Sequence, residues 1–197
     1  MVTPDSPVVL ALAGGVGGAK LALGLALCLS PDDLMICVNT GDDETFHGLH
    51  VSPDLDTMMY TLSGLSNQEN GWGLAGDTFT ALEMLRKFGV DTWFNLGDRD
   101  FATHIRRTQL LAEGKTLSEV TTELNRSLGV FHGVTPMSND PVKTVLQTDE
   151  GELPMQRYFV GRRAEPKVSE VRYLGAENAA AAPGLQNALA KARLLVL

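Results

Sequence analysis

Val8-Val9-Leu10-Ala11-Leu12-Ala13-Gly14-Gly15-Val16-Gly17-Gly18-Ala19-Lys20-Leu21 runs from an apolar strand through four glycines into the start of a helix. Such a turn presents bare backbone N–H groups at a helix N-terminus, where an anion, above all a phosphate, is favoured. Gly14, Gly15, Gly17 and Gly18 form the expected cradle, and Lys20 adds a point charge. The stretch is neither of the two best-known phosphate loops. A P-loop has Gly-Lys followed by Ser or Thr, whereas Ala19 precedes Lys20 here and Leu21 follows it. A dinucleotide fingerprint has a third small residue three places after Gly17, where Lys20 stands. The loop by itself indicates a phosphate of a nucleotide or diester.

Strands and helices alternate beyond this point, the pattern of a mostly parallel sheet covered on both faces, and the expected fold is a Rossmann-like α/β domain. Val8 to Ala13 is read as the first strand, Gly18 to Leu29 as an apolar helix, Leu34 to Val38 as a second strand and Thr92 to Leu96 as a third. Ser52-Pro53-Asp54 reads as a helix start, with Ser52 capping and Pro53 in the first helical position. Asp77 is expected to cap a helix that stops near Gly89, and a further helix follows Asp98. Thr116-Leu117-Ser118-Glu119 is a capping box opening a helix that ends at Gly129. Pro141 to Thr148 and Pro154 to Val160 flank Asp149-Glu150-Gly151 as a hairpin, Lys167 to Leu174 adds a strand, and about residues 140–175 form a small antiparallel β insertion. Pro183 to Ala192 returns to helix. The closing Leu194-Leu195-Val196-Leu197 has the character of a central parallel strand buried on both faces, so the single domain is expected to be C-terminally incomplete.

The chain of 197 residues is 44% apolar and 20% charged, with a net charge of −8, a balance that excludes nucleic acid and anionic membrane as main partners. No apolar run approaches the roughly 20 residues of a membrane span, and Met1 to Pro7 lacks a basic leader, so a cytoplasmic location is expected. Cys28 and Cys37 have no CxxC spacing and read as buried free thiols.

Three acidic clusters follow predicted strand ends or open helices. In Asn39-Thr40-Gly41-Asp42-Asp43 the adjacent carboxylates face different ways, so one can meet a cation or ribose while the other braces the loop; a solvated turn is the plain alternative. Asp54 and Asp56 fall in the first turn of their helix, where the macrodipole favours negative charge, and they also make an edge suited to magnesium or a hydroxyl. In Asn95-Leu96-Gly97-Asp98-Arg99-Asp100, Arg99 meets either an anion or a neighbouring aspartate. His47, His50, His104 and His132 lack metal-ligand spacing and read as structural or surface residues. Arg106, Arg107, Arg162 and Arg163 read as surface charge balance, with attraction of an anionic substrate as the alternative. Trp72 and Trp93 read as packing residues.

Gly14-Gly15-Val16-Gly17-Gly18-Ala19-Lys20, Asn39-Thr40-Gly41-Asp42-Asp43, Ser52-Pro53-Asp54-Leu55-Asp56-Thr57, Trp72-Gly73-Leu74-Ala75-Gly76-Asp77-Thr78-Phe79, Leu96-Gly97-Asp98-Arg99-Asp100, Ala102-Thr103-His104-Ile105 and Pro136-Met137-Ser138-Asn139-Asp140 stand in the order and spacing of one family. Over essentially its whole length the chain resembles the 2-phospho-L-lactate transferases of deazaflavin coenzyme (F-420) biosynthesis. The resemblance implies a Mg²⁺-dependent transfer of a phospho-carboxylic-acid unit, of lactyl, enolpyruvyl or glyceryl type, from a guanosine-diphospho donor to the terminal hydroxyl of the deazaflavin Fo, with release of GMP. It places Gly14, Gly15, Gly17, Gly18 and Lys20 on the diphosphate, Asp42, Asp43 and Asp54 at the metal, and Asp56 as the catalytic residue on the Fo hydroxyl. Asn95 matches an Fo contact, Arg99 is kept as a substrate-binding candidate, and Trp72 is set to lie against the flat deazaflavin ring. The family also continues past the last strand with a Pro-Ser-Asn-Pro loop. The expected partners are these small molecules, in a homodimer. An NAD(P)-dependent oxidoreductase and a non-catalytic nucleotide-binding module are the alternatives.

Overall fold

The computed structural model describes residues 9–197, so Val8 and the reading of Met1 to Pro7 lie outside the described residues. Strand β1 (Val9–Ala13) passes through the glycine turn into helix α1 (Gly15–Cys28), and β2 (Leu34–Val38) returns parallel to β1, with Val9 opposite Leu34 and Ala13 opposite Val38. A hairpin of β3 (Glu44–Phe46) and β4 (Leu49–Val51) leads into α2 (Pro53–Leu62). Helices α3 (Thr80–Lys87), α4 (Asp98–Ala112) and α5 (Leu117–Ser127) follow, then β5 (Gly133–Pro136). An antiparallel sheet of β6 (Lys143–Thr148), β7 (Gly151–Pro154) and β8 (Val168–Leu174) precedes α6 (Pro183–Lys191) and β9 (Leu194–Val196).

The main sheet has the order β5-β2-β1-β9 with every pair parallel. One face is closed by α1, α2 and the start of α5 over Val9, Ala11, Ile36 and Val38. On the other, α6 sets Leu185 and Ala188 against Leu10 and Cys37. The α/β reading with helices on both faces and a small antiparallel sheet therefore holds. From β1 the chain steps to β2 on one side while β9 lies on the other, a reversal of strand order. In open parallel sheets such a reversal leaves a crevice beyond the carboxyl ends of the strands. Gly14 and Asn39 follow those ends.

Several expectations are corrected. Thr92 to Leu96 is not a strand. Phe46 stacks on Phe94 with centroids 4.1 Å apart and meets Trp93 edge-on at 5.5 Å, so this run buries its aromatics on the β3–β4 hairpin and joins no ladder. The third parallel strand is β5, which pairs with β2 from Met35 opposite Gly133 onward. The β3–β4 hairpin itself went unread; it turns on His47 and Gly48, both with positive φ, as tight two-residue hairpins require. Pro154 to Val160 does not continue as strand: β7 stops at Pro154 and Arg157–Gly161 winds into one π-helical turn, with the Arg157 guanidinium 4.7 Å from the Trp93 ring centre. Leu194 and Leu195 are 55% and 49% exposed, because among the described residues β9 pairs with β1 alone. Cys28 is exposed, and only Cys37 is a buried thiol, which burial pushes up to about 11.

The capping box on α5 forms as read, Thr116 Oγ1 accepting from the Glu119 N–H while Glu119 accepts from the Thr116 N–H. Asp77 does not cap α3. Its carboxylate accepts from the N–H groups of Arg99 (2.9 Å) and Asp100 (3.1 Å), finishing the start of α4. Asp98 accepts in turn from Thr80 (3.0 Å) and Ala81 (2.8 Å), finishing the start of α3. Gly97 permits the exchange, since a Cβ there would sit 2.1 Å from Asp77 Oδ2. Gly97→Ala is therefore expected to destabilise the fold by about 1–3 kcal/mol in denaturant unfolding. The hydrogen bond from Thr78 and the amides of Ala81 and Thr80 hold the Asp98 carboxyl down at about 2. A folded-state value below the unfolded one (about 3.9) makes this stabilisation complete above about pH 4 and lost as pH falls toward about 2. The protection factors of the Thr80 and Ala81 amides, each rate being referred to the intrinsic rate at the same pH, are expected to fall across that window, and unchanged protection would show that the cap contributes nothing.

Candidate functional site

The site is built on the turn between β1 and α1. Gly14 is the extended N-cap of α1 and Gly15 has φ +59°. No side chain caps this helix and no acidic residue stands in its first turn, so its leading N–H groups are not claimed by a cap of its own. A Cβ on Gly14 would lie 2.9 Å from Asp54 Oδ2 and 3.3 Å from Asn39 Cβ. Gly18 packs on Ala13, where a Cβ would fall 3.0 Å from that methyl. Gly17 is exposed, with open space around it, and Lys20 is exposed on α1 and outside the cavity described below.

Four aspartates stand around this turn, on the loop after β2 and the first turn of α2. Asn39 donates through Nδ2 to Asp54 Oδ2 at 3.0 Å, and Asp54 also accepts from the Gly15 N–H. Burial raises the Asp54 carboxyl above its ordinary range. Burial, and then the charge of Asp54, push Asp42 up to about 6. Asp43 is held by Ser52 Oγ at 2.7 Å and His50 Nε2 at 3.0 Å on Oδ2, while Oδ1 is buried with no partner among the described residues. Its carboxyl too is raised by burial. Ser52 thus occupies the N-cap position of α2 as read, but its hydroxyl serves Asp43 and not the helix. Among the described residues no three His, Cys, Asp or Glu side chains converge at metal-binding spacing. The crowded carboxylates of Asp42 and Asp54 suit a cation that draws its remaining ligands from a bound phosphate.

Asp56, 5% exposed, faces the fully buried side of the same helix turn. Arg107 from α4 meets it with both guanidinium nitrogens, Nη1 reaching Oδ2 at 3.1 Å and Nη2 bonding Oδ1. Burial alone would lower the guanidinium, but the Asp56 carboxylate outweighs it and holds Arg107 above its ordinary value. Arg107 Nη1 also lies 3.3 Å from His104 Nδ1. His104 Nε2 is buried without an aligned hydrogen bond, although Asp100 Oδ1 is 3.3 Å away. Asp100 in turn accepts from Tyr60 Oη at 2.7 Å.

These groups border a cavity of about 290 Å³. Its polar wall carries Gly15, Asp54, Asp56, Asp100 and His104, with Asn95 exposed at the rim. Its apolar wall carries Val16, Trp72, Phe94, Phe159 and Val160. The cavity thus combines an apolar, aromatic wall with carboxylates beside the glycine turn. Of the residues singled out in the sequence, Gly15, Asp54, Asp56 and Asn95 line it. Asp42 sits 3.5 Å from Gln156, another lining residue, and Asp43 stands behind, against a second cavity. Arg99 is exposed and donates to the Ala75 carbonyl at 2.9 Å.

The readings of Arg107 as surface balance and of His50 and His104 as bystanders are corrected: all three hold the carboxylates of the site. The signal was available in the spacing of Asp100, His104 and Arg107, at i, i+4 and i+7 on one face of α4. Trp72 is not internal packing but a half-exposed wall of the cavity.

A family model described as 2-phospho-L-lactate transferase CofD matches residues 9–197. A phosphoenolpyruvate transferase of Streptomyces avermitilis is 45% identical over 193 residues, covering 95% of this chain and 60% of that protein. A 2-phospho-L-lactate transferase of Methanopyrus kandleri is 41% identical over 187 residues, covering 94% and 60%. The chain spans about 60% of the length of these curated relatives. A crystal structure of a UPF0052 family member from Bacillus halodurans superposes with a TM-score of 0.59 at 16% identity, covering 96% of this chain and 58% of that one, a likeness of fold. Within the site, Gly14→Ala is expected to displace the Asp54 carboxylate and destabilise the fold by about 1–3 kcal/mol in denaturant unfolding. Unchanged stability would show that the approach of Asp54 to the turn is not close.

Proposed function

We propose, on the premise that the chain belongs to the 2-phospho-L-lactate transferase (CofD) family, that it moves a phospho-carboxylic-acid unit from a guanosine-diphospho donor to the terminal hydroxyl of the deazaflavin Fo. The observation that carries this reading is the meeting of an apolar, aromatic wall, carboxylates and a glycine turn in one cavity. The wall carrying Trp72 and Phe94 receives the flat deazaflavin ring, and its ribityl tail runs toward Asp56. The leading N–H groups of α1 beyond that of Gly15, which Asp54 takes, hold the diphosphate.

In the transfer, the acceptor hydroxyl oxygen bonds to the phosphorus that carries the carboxylic acid. The bond from that phosphorus to the bridging diphosphate oxygen breaks, GMP departs with the electron pair, and the hydroxyl proton is released. Such a reaction asks the protein mainly to align its two partners and neutralise charge. Asp56 accepts a hydrogen bond from the hydroxyl and sets its direction. Asn95 holds the acceptor at the rim, while the amides of the Gly14 to Gly18 turn hold the donor. Asp42 and Asp54 would hold Mg²⁺, which when bound neutralises diphosphate charge, while Asp43 braces the loop through Ser52 and His50. The burial of Asp42 and the charge of Asp54 beside it support that assignment.

The test is a set of titrations with Fo, GDP and NAD, followed by an assay with lactyl, enolpyruvyl and glyceryl donors and Mg²⁺. Fo and GDP are expected to bind, and GMP and the phosphodiester product to appear in equal amounts by mass spectrometry. Binding of NAD without Fo would support an oxidoreductase instead, and nucleotide binding without turnover a non-catalytic module. Asp56→Asn is expected to lower kcat by about 100-fold or more with little change in GDP affinity, since the lost contact is to the acceptor.

A further inference from the structure

Arg107 stands on α4 in the interior, 2% exposed, and spends its guanidinium on three elements. Nη1 and Nη2 fork onto the two oxygens of Asp56 on α2. Nη1 also reaches the His50 carbonyl at 3.5 Å on β4 and the His104 Nδ1 at 3.3 Å one turn back on α4. A guanidinium has donors and no acceptor, so the ring nitrogen it faces has to accept. That places the single hydrogen of a neutral His104 on Nε2, which is buried, faces Asp100 Oδ1 at 3.3 Å and makes no aligned hydrogen bond to it. Arg107 thereby leaves Asp56 an acceptor of fixed direction and His104 a donor at Nε2, both on residues that line the cavity. A hydroxyl group needs one of each.

We propose that Arg107 is a positioning residue for the acceptor side of the cavity, orienting Asp56 and His104 as the acceptor and donor that meet a substrate hydroxyl. The proposal deepens the transferase reading and rests on it for the identity of that hydroxyl. The fork matters as much as the charge, because a lysine ammonium is a point donor that cannot hold both carboxylate oxygens and the ring nitrogen in one plane.

The test uses the whole chain with Arg107→Lys, His104→Gln and His104→Leu. Turnover with Fo and the donor is read beside thermal unfolding, GDP affinity and the ¹⁵N resonances of the histidine rings. In the unaltered protein His104 is expected to carry its hydrogen on Nε2. In Arg107→Lys that preference is lost and kcat falls by about 100-fold at unchanged GDP affinity. His104→Gln, whose side-chain amide can stand in for the Nε2 donor, is expected to keep kcat within about tenfold, and His104→Leu to lose it; this pair decides the question if Arg107→Lys does not fold. A folded Arg107→Lys protein with unaltered kcat, or a His104 protonated on Nδ1, overturns the proposal. Absence of Fo transfer by the unaltered chain is a different result: it removes the transferase reading, and the ring resonances of the unaltered and Arg107→Lys proteins then decide whether Arg107 sets His104.

Discussion

The site depends on one close approach. Gly14 has no side chain because the Asp54 carboxylate occupies the space a Cβ would need, and Asn39 closes the same space from the next strand. Three segments distant in sequence are pinned there: the end of β1, the end of β2 and the first turn of α2. The parallel sheet brings the first two together as a matter of topology. The third arrives because Pro53 starts α2 at the only register that turns Asp54 toward the glycines and Asp56 toward α4. A larger residue at the turn would separate the glycines from the carboxylates.

That arrangement keeps negative charge in poor solvent. Asp42, Asp43 and Asp54 are all raised by burial, and the first two have no cation beside them that offsets it fully. Asp56 is treated differently, held by a buried guanidinium with both nitrogens engaged. Two kinds of carboxylate thus meet at the first turn of α2, one group crowded and under-compensated, the other fixed and paired. Strained electrostatics of this sort collects where a ligand or ion supplies the missing charge. The pairing of α2 with α4 through Arg107 ties down one wall of the cavity, whereas another is formed by Phe159 and Val160 on a single π-helical turn.

Much of this was legible in the residues. The start of α2 with its two aspartates and the capping box on α5 follow from local rules and appear where those rules place them, whereas α1 begins at Gly15 and not Gly18, and the antiparallel sheet forms with β7 at Gly151–Pro154 and not along Pro154 to Val160. The failures share a cause: the competing partner was remote in sequence. Thr92 to Leu96 has the composition of a strand, but Phe46 offers its aromatics a better surface than a ladder would. Gly133–Pro136, with a glycine and a proline in four residues, shows no strand signal of its own, yet β2 recruits it. Arg107 reads as one of a surface pair because its partner, Asp56, lies 51 positions away.

The exchange of aspartates between α3 and α4 reaches further than the two helix starts. At eight residues, α3 is too short to persist alone, since isolated helices under about 12–15 residues are marginal in water. Its first turn is completed only when Asp98 is in place, and the first turn of α4 only when Asp77 is. The two helices therefore form and melt as a single cooperative unit. The segment that carries Trp72 ends at Asp77, so the aromatic side of the cavity is moored to that unit, and its order is inherited from a folding event outside the pocket.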